Sequence, residues 1–93
     1  MKVVINDCHG EFGLSELAIA RLRELGVPEY DLTLRSKIAR HDPLLVRTVE
    51  ELGERANGPH ADLRIIEVPD DVKWHIAEYD GAEWVAENHR TWQ

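Results

Sequence analysis

The apolar residues of the chain form two kinds of pattern, and the first kind predicts four strands. Lys2–Cys8 and Leu63–Val68 each contain adjacent apolar residues, rich in valine and isoleucine, which is typical of strands covered on both faces. Lys73–Tyr79 and Ala82–Glu87 flank Asp80-Gly81, a dipeptide that supplies the two positive φ angles of a type I′ turn. These last two segments therefore form a predicted β-hairpin.

The second kind of pattern, apolar residues three and four positions apart, predicts two helices. The first helix covers 15–25, where Ser15 is the expected N-cap and Gly26 ends the helix. The second begins at Asp42-Pro43, a capping carboxylate followed by a proline at the first helical position. Residues 27–41 have no regular pattern and are expected to form a docked loop with room for a short helical turn.

The predicted element order is β-α-α-β-β-β, an α+β fold in which a small, mostly antiparallel sheet carries both helices packed on one face. A chain of 93 residues has room for one hydrophobic core, so residues 1–93 are expected to form a single compact domain. No membrane span and no secretory leader are expected. The single cysteine, Cys8, excludes an intramolecular disulfide and favours a cytoplasmic location.

Charge is distributed unevenly along the sequence, whose formal net charge is −7. Residues 1–47 contain seven basic and seven acidic side chains, whereas residues 48–93 contain four basic and eleven acidic ones. A negative field repels phosphate, which disfavours direct nucleic-acid binding, and it attracts a basic protein surface. Acidity also keeps a small domain soluble, which is the simpler explanation of the same charge.

No group of side chains predicts an enzyme. Adjacent strand residues such as Cys8 and His9 point to opposite faces, so the histidine is poorly placed to activate the thiol. The five histidines include no i, i+4 helical pair, and no second cysteine accompanies them, so neither a metal nor another cofactor is expected. The loop at Gly10–Ser15 has the strand-to-helix geometry that can hold an anion, but it carries Glu11 and lacks the lysine of a phosphate loop.

The predicted hairpin concentrates aromatic and acidic side chains. Its register places Glu78 opposite Glu83, and it places Trp74 and Trp84 on opposite faces. Both faces cannot pack against the same helices, so one tryptophan should be partly exposed unless the tail at Arg90–Trp92 covers Trp84. An exposed aromatic ring among carboxylates is typical of a protein-binding hot spot. The candidate contacts lie in this hairpin: Trp84, Tyr79, Glu78, Asp80, Glu83 and Glu87.

Several distinctive segments are spread along most of the chain: Lys2–Asn6, Gly10, Phe12–Ser15, Asp42–Val46, Glu50–Gly53, Ala56–Gly58, Val68–Val72, Tyr79–Gly81, Glu83, Glu87 and His89–Trp92. In these segments the sequence resembles a group of small bacteriophage and prophage accessory proteins. The resemblance excludes 27–41, and Glu11 stands where the group has a second glycine. It implies no established activity. It does imply a phage setting and stoichiometric binding to a host or defence component, in the manner of anti-CRISPR proteins, in the host cytoplasm.

Three function hypotheses remain. The first is a non-enzymatic inhibitor that binds a host defence protein with a basic surface through the hairpin. The second is a small-molecule sponge for a nucleotide signal, acting as an oligomer, with its anion contacts drawn from the loop and the basic stretch: Gly10, Gly13, Ser15, Arg35, Lys37 and Arg40. The third is a virion or assembly component, which predicts self-association as a homo-oligomer.

Overall fold

A computed structural model of the chain describes residues 1–33 and 38–88. The elements follow one another as β1 (Lys2–Asn6), α1 (Glu16–Glu24), α2 (Glu29–Thr33), α3 (Pro43–Leu52), β2 (Leu63–Glu67), β3 (Trp74–Tyr79) and β4 (Ala82–Glu87). A 3-10 turn at Gly53–Ala56 continues α3. The α+β class and the order of the main elements are confirmed, and the short α2 lies inside the irregular segment. None of the helices in these ranges is long and apolar enough to cross a membrane.

The two longer helices, α1 and α3, begin directly after the residues that were predicted to cap them. Ser15 Oγ accepts a hydrogen bond from the Ala18 amide at 3.1 Å, and Asp42 Oδ1 accepts one from the Leu44 amide at 2.8 Å. Each bond satisfies an N–H group that the first turn of a helix leaves without an internal partner. After α1, Gly26 has a φ of 96°, a conformation that glycine adopts without strain.

The four strands form two separate antiparallel ribbons, β1–β2 and β3–β4. In the β3–β4 hairpin, Tyr79 pairs with Ala82, as the turn dipeptide predicts. Asp80 and Gly81 have φ values of 51° and 89°, the two positive angles that a type I′ turn requires. The local sequence is therefore sufficient to set the hairpin register.

The β1–β2 ribbon lies between the helices and the hairpin, because successive side chains of a strand point to opposite faces. On one face, Val4 and Ile65 join the main core with α1 and α3. On the other face, Val3, Ile5 and Ile66 form a second cluster with the hairpin side chains Trp74, Ile76 and Val85. The helices α1 and α3 thus pack on one face of this ribbon, and the hairpin covers the other face.

Asn6 holds the end of β1 to the hairpin turn. Its side chain is fully buried, and Nδ2 donates to the carbonyls of Cys8 and Gly81 at 3.1 and 2.9 Å. Its Oδ1 accepts from the Asp62 amide at 2.8 Å. The turn approaches so closely that a Cβ at Gly81 would overlap the carbonyl oxygen of Gly10. Buried hydrogen bonds and a glycine without a side chain together fix the position of the hairpin.

Candidate partner-binding site

The outer face of the hairpin is the face that points away from β1–β2. It carries His75, Ala77, Tyr79, Ala82, Trp84 and Ala86. Tyr79 is 72% exposed and Trp84 is 48% exposed. The register makes them diagonal neighbours, a separation that large aromatic side chains can span. Neither side chain belongs to the two buried clusters of the described residues. The outer face therefore presents two aromatic rings that the described residues do not bury in either cluster.

The prediction that one hairpin tryptophan is partly exposed is confirmed, and Trp84 is that residue. Trp74 lies on the opposite face, where it packs against the second cluster and meets the His41 ring edge-on, with the ring centroids 5.6 Å apart. Trp92, which could have covered Trp84, lies outside the described residues. Alternation along β3 and β4 explains why the two tryptophans have different surroundings.

Small residues surround the two exposed rings. Ala77, Ala82 and Ala86 share the outer face with Trp84 and Tyr79. A methyl group beside each ring leaves the aromatic faces accessible from solvent, whereas a long side chain at those positions would cover them. The outer face can therefore lie flat against a partner, and it needs little rearrangement because the hairpin ladder already orders its backbone.

Three of the predicted acidic contacts are exposed, but the register places Glu78 and Glu87 on the same face as Trp74, opposite the outer face. Glu78 and Asp80 lie at the turn end of the hairpin, and Glu87 lies at the other end of β4. Glu78 Oε2 accepts a hydrogen bond from the Gly81 amide at 2.6 Å and so helps to close the turn. No basic side chain within 1–33 or 38–88 forms an ion pair with these carboxylates. They give the two ends of the hairpin a negative potential, beside the outer face rather than on it.

Glu83 does not belong to this exposed surface, although the sequence grouped it with the other contacts. Its side chain is only 9% exposed, and its two oxygens lie 2.6 and 3.0 Å from Nη1 and Nη2 of Arg40. Oε1 also accepts the Asn6 amide at 2.8 Å. The bidentate ion pair and the Asn6 bond together attach β4 to the edge of β1 that does not pair with β2, where the Val4 amide also donates to the Arg40 carbonyl. Glu83 still lies opposite Glu78 in the register, but Arg40 neutralises it.

Arg40 is correspondingly unavailable for the predicted anion site. Besides Glu83, its guanidinium group lies 3.5 Å from the centre of the Phe12 ring, and its side chain is 22% exposed. The other two cations of that prediction, Arg35 and Lys37, lie outside the described residues. The described part of the chain therefore assembles no cationic pocket from this set.

The glycine loop is likewise engaged with the main chain. The Glu11 amide donates to the His60 carbonyl, and the Ser15 amide donates to the Ala56 carbonyl, both at 2.9 Å. A Cβ at Gly10 would overlap the carbonyl of His60. These contacts use the amides that an anion would need, and they explain Gly10 by the close approach of two backbone segments.

Cys8 is half-buried, and its thiol lies 3.3 Å from Asn6 Oδ1 and 3.4 Å from the His60 carbonyl oxygen, either of which can accept its proton. Within the described ranges, no group of three or more histidine, cysteine, aspartate or glutamate side chains is arranged to hold a metal ion.

The sequence did not predict a surface groove of about 220 Å³ beside Trp74, with Ile66, Val68 and Val85 in its walls. Its only sequence signal is the adjacent apolar residues that line it.

Comparison of the chain with protein-family models, with curated proteins and with solved structures finds no match. The resemblance to small phage proteins, which was inferred from sequence motifs, therefore stays a prediction.

Proposed function

We propose that the protein acts by stoichiometric binding to a partner protein with a basic surface, and that the outer face of the hairpin makes the contact. The observation that supports this most directly is Trp84, a tryptophan that is 48% exposed and lies outside both buried clusters. The resemblance to phage accessory proteins supports a host defence protein as the partner and inhibition as the outcome.

Tryptophan and tyrosine are the side chains that most often dominate the energy of a protein interface. They supply a large contact area while losing little conformational entropy, because each has only two side-chain torsions. In this hairpin, both rings project from paired strands, so the backbone that carries them is ordered before binding. Trp84 and Tyr79 are thus the expected anchors, and the surrounding alanines give shape complementarity.

The exposed carboxylates of Glu78, Asp80 and Glu87, at the two ends of the hairpin, favour a partner with a basic surface. They attract lysine and arginine side chains, and an arginine that approaches Trp84 gains a cation–π contact as well. Such rim charges act mainly on the association rate, and salt screens them. Binding through this face should therefore slow as the salt concentration rises, with a smaller effect on dissociation.

The test uses three baits: the wild-type protein, Trp84→Ala, and Leu17→Ala as a matched control. Leu17 is also 48% exposed, but it lies on α1. Each bait is incubated with a lysate of a bacterial host, and the retained proteins are quantified by mass spectrometry. The enriched protein is then purified and its Kd measured. We expect Trp84→Ala to weaken binding about 30-fold or more, and Leu17→Ala to leave it unchanged.

Both substitutions remove an exposed side chain, so each should change the free energy of unfolding by about 0.5 kcal/mol or less. A partner that binds wild-type protein and Trp84→Ala with equal affinity would contradict the assignment of the outer face. Retention of no protein in stoichiometric amount would contradict the proposed function itself.

A further inference from the structure

β3 has one edge whose backbone polar groups point away from the rest of the described structure. The Asn88 amide donates to the Lys73 carbonyl, so Lys73 and Asn88 form a hydrogen-bonded pair of the antiparallel ladder. Such pairs alternate along the strand, and the N–H and C=O groups of Trp74, Ile76 and Glu78 therefore point away from β4. No group within 1–33 or 38–88 accepts from or donates to them.

This edge lacks most of the features that commonly prevent strand pairing, and its one carboxylate, Glu78, is the exception. Natural edge strands are commonly protected by proline, a lysine within the strand, or a β-bulge. β3 spans Trp74–Tyr79 without a proline, a lysine or an interruption of its register with β4. No other described strand or helix runs beside it. The outer edge of β2 is shorter, because the Leu63 amide is bonded to the Asn57 side chain.

The residues of β3 are compatible with antiparallel pairing of the strand with itself. With Ile76 on the twofold axis, Ile76 faces Ile76 of the second copy, and Trp74 faces Glu78 of the second copy. On the opposite face of the strand, Tyr79 faces Lys73 of the second copy, an arrangement that allows a cation–π contact. No two like charges lie directly opposite each other in this register. This register also gives a hydrogen-bond partner to every outward-pointing N–H and C=O group of Trp74, Ile76 and Glu78.

We infer that β3 is a dimerisation edge and that its occupant is β3 of a second copy of this chain. The two hairpins then form one four-stranded antiparallel sheet. The two outer faces, each with Tyr79 and Trp84, join into one continuous surface with twofold symmetry. This inference concerns self-association and does not depend on the proposed partner binding.

The test compares wild-type protein with Glu78→Pro and Glu78→Ala by light scattering coupled to size exclusion, over a roughly hundredfold range of concentration. Both substitutions remove the carboxylate and its bond to Gly81, but only proline removes the outward N–H and blocks the edge. We expect wild type and Glu78→Ala to approach twice the 10.7 kDa chain mass at high concentration. We expect Glu78→Pro to weaken association by about tenfold or more.

Amide hydrogen exchange of the wild-type protein provides a measurement that does not depend on the folding of a variant. The amides of Trp74, Ile76 and Glu78 should become more protected as concentration rises, whereas the Val85 amide on the β4 edge should not. Wild-type protein with the mass of a monomer at every concentration would overturn the inference and leave the edge for a strand of a different partner. A dimer that Glu78→Pro does not weaken, or whose exchange protection lies elsewhere, would also overturn it.

Discussion

Replacing each of the two glutamates that face each other in the hairpin should have very different effects on stability. Glu83→Ala leaves the Arg40 guanidinium without its carboxylate in a site where the arginine side chain is only 22% exposed. Loss of one partner of a fully buried pair costs about 3–5 kcal/mol, and the exposed part of Arg40 lowers that range. The Asn6 amide also loses its acceptor, which adds about 1 kcal/mol or more. We expect a total of about 3 kcal/mol.

Glu78→Ala is the matched control, since it removes the same side chain from the neighbouring strand. Its carboxylate is exposed and makes one hydrogen bond, to the Gly81 amide, so the expected cost is about 0.5–1 kcal/mol. Urea unfolding followed by far-UV circular dichroism measures both values. With a slope of about 1 kcal/mol per M for a small domain, the midpoint should fall by about 3 M for Glu83→Ala and by less than about 1 M for Glu78→Ala.

A double substitution tests the mechanism as well as the magnitude. Arg40→Leu combined with Glu83→Ala removes both charges, so the double variant should be more stable than the sum of the two single losses predicts, by about 1–3 kcal/mol. Equal midpoints for Glu83→Ala and Glu78→Ala would refute the claim that the ion pair attaches the hairpin to β1. Strict additivity in the double-mutant cycle would refute the claim that the two side chains act together.

The remaining predictions concern a turn and a surface ion pair. Gly81→Ala should destabilise the fold by about 2–4 kcal/mol, because a Cβ there overlaps a carbonyl; Gly26→Ala, with positive φ but open space, should cost about 1 kcal/mol in the same unfolding assay. Equal losses of stability for the two substitutions would contradict the close approach of Gly81 to the Gly10 carbonyl. The arginines Arg21 and Arg47 lower the pKa of Glu51 to about 2 from an ordinary 4.5. This contribution to stability is present above pH 4.5 and is lost as the pH falls towards 2. Between these two pH values, the Tm of Glu51→Gln should therefore fall by less than the Tm of the wild-type protein.

The parts of the fold that depend on local sequence could be predicted, whereas the long-range polar contacts could not. The Asp80-Gly81 dipeptide restricts its own backbone angles, and the hairpin register, with Trp74 and Trp84 on opposite faces, follows from that restriction. Ser15 and Asp42 likewise cap helices through contacts to nearby amides. In each case the interacting groups are within a few residues of one another.

Glu83 shows why the candidate site could be predicted only in part. Alternation along β4 places Glu83 on the face opposite Trp84, but the pattern does not distinguish an exposed glutamate from an ion-paired one. Its partner Arg40 lies 43 residues away in a segment with no regular periodicity, and nothing local marks the pair. The division of the strands into two ribbons also depends on polar contacts between residues that are distant in the sequence. The edge of β1 is covered by the Arg40 carbonyl and the Glu83 carboxylate, where a neighbouring strand would otherwise bond.

The Asn6 side chain has a consequence for the order in which the protein can fold during synthesis. It bonds to Gly81, 75 residues further along, and its strand pairs with residues from Leu63 onwards. β1 therefore leaves the ribosome well before β2 emerges to pair with it and the hairpin emerges to cover one of its faces. Until then this apolar strand has no β-partner, and contacts of such large sequence separation form slowly. β1 thus acquires its final surroundings only after β2 and the hairpin have left the ribosome, as one late step that pairs the strand and closes the face opposite the helices.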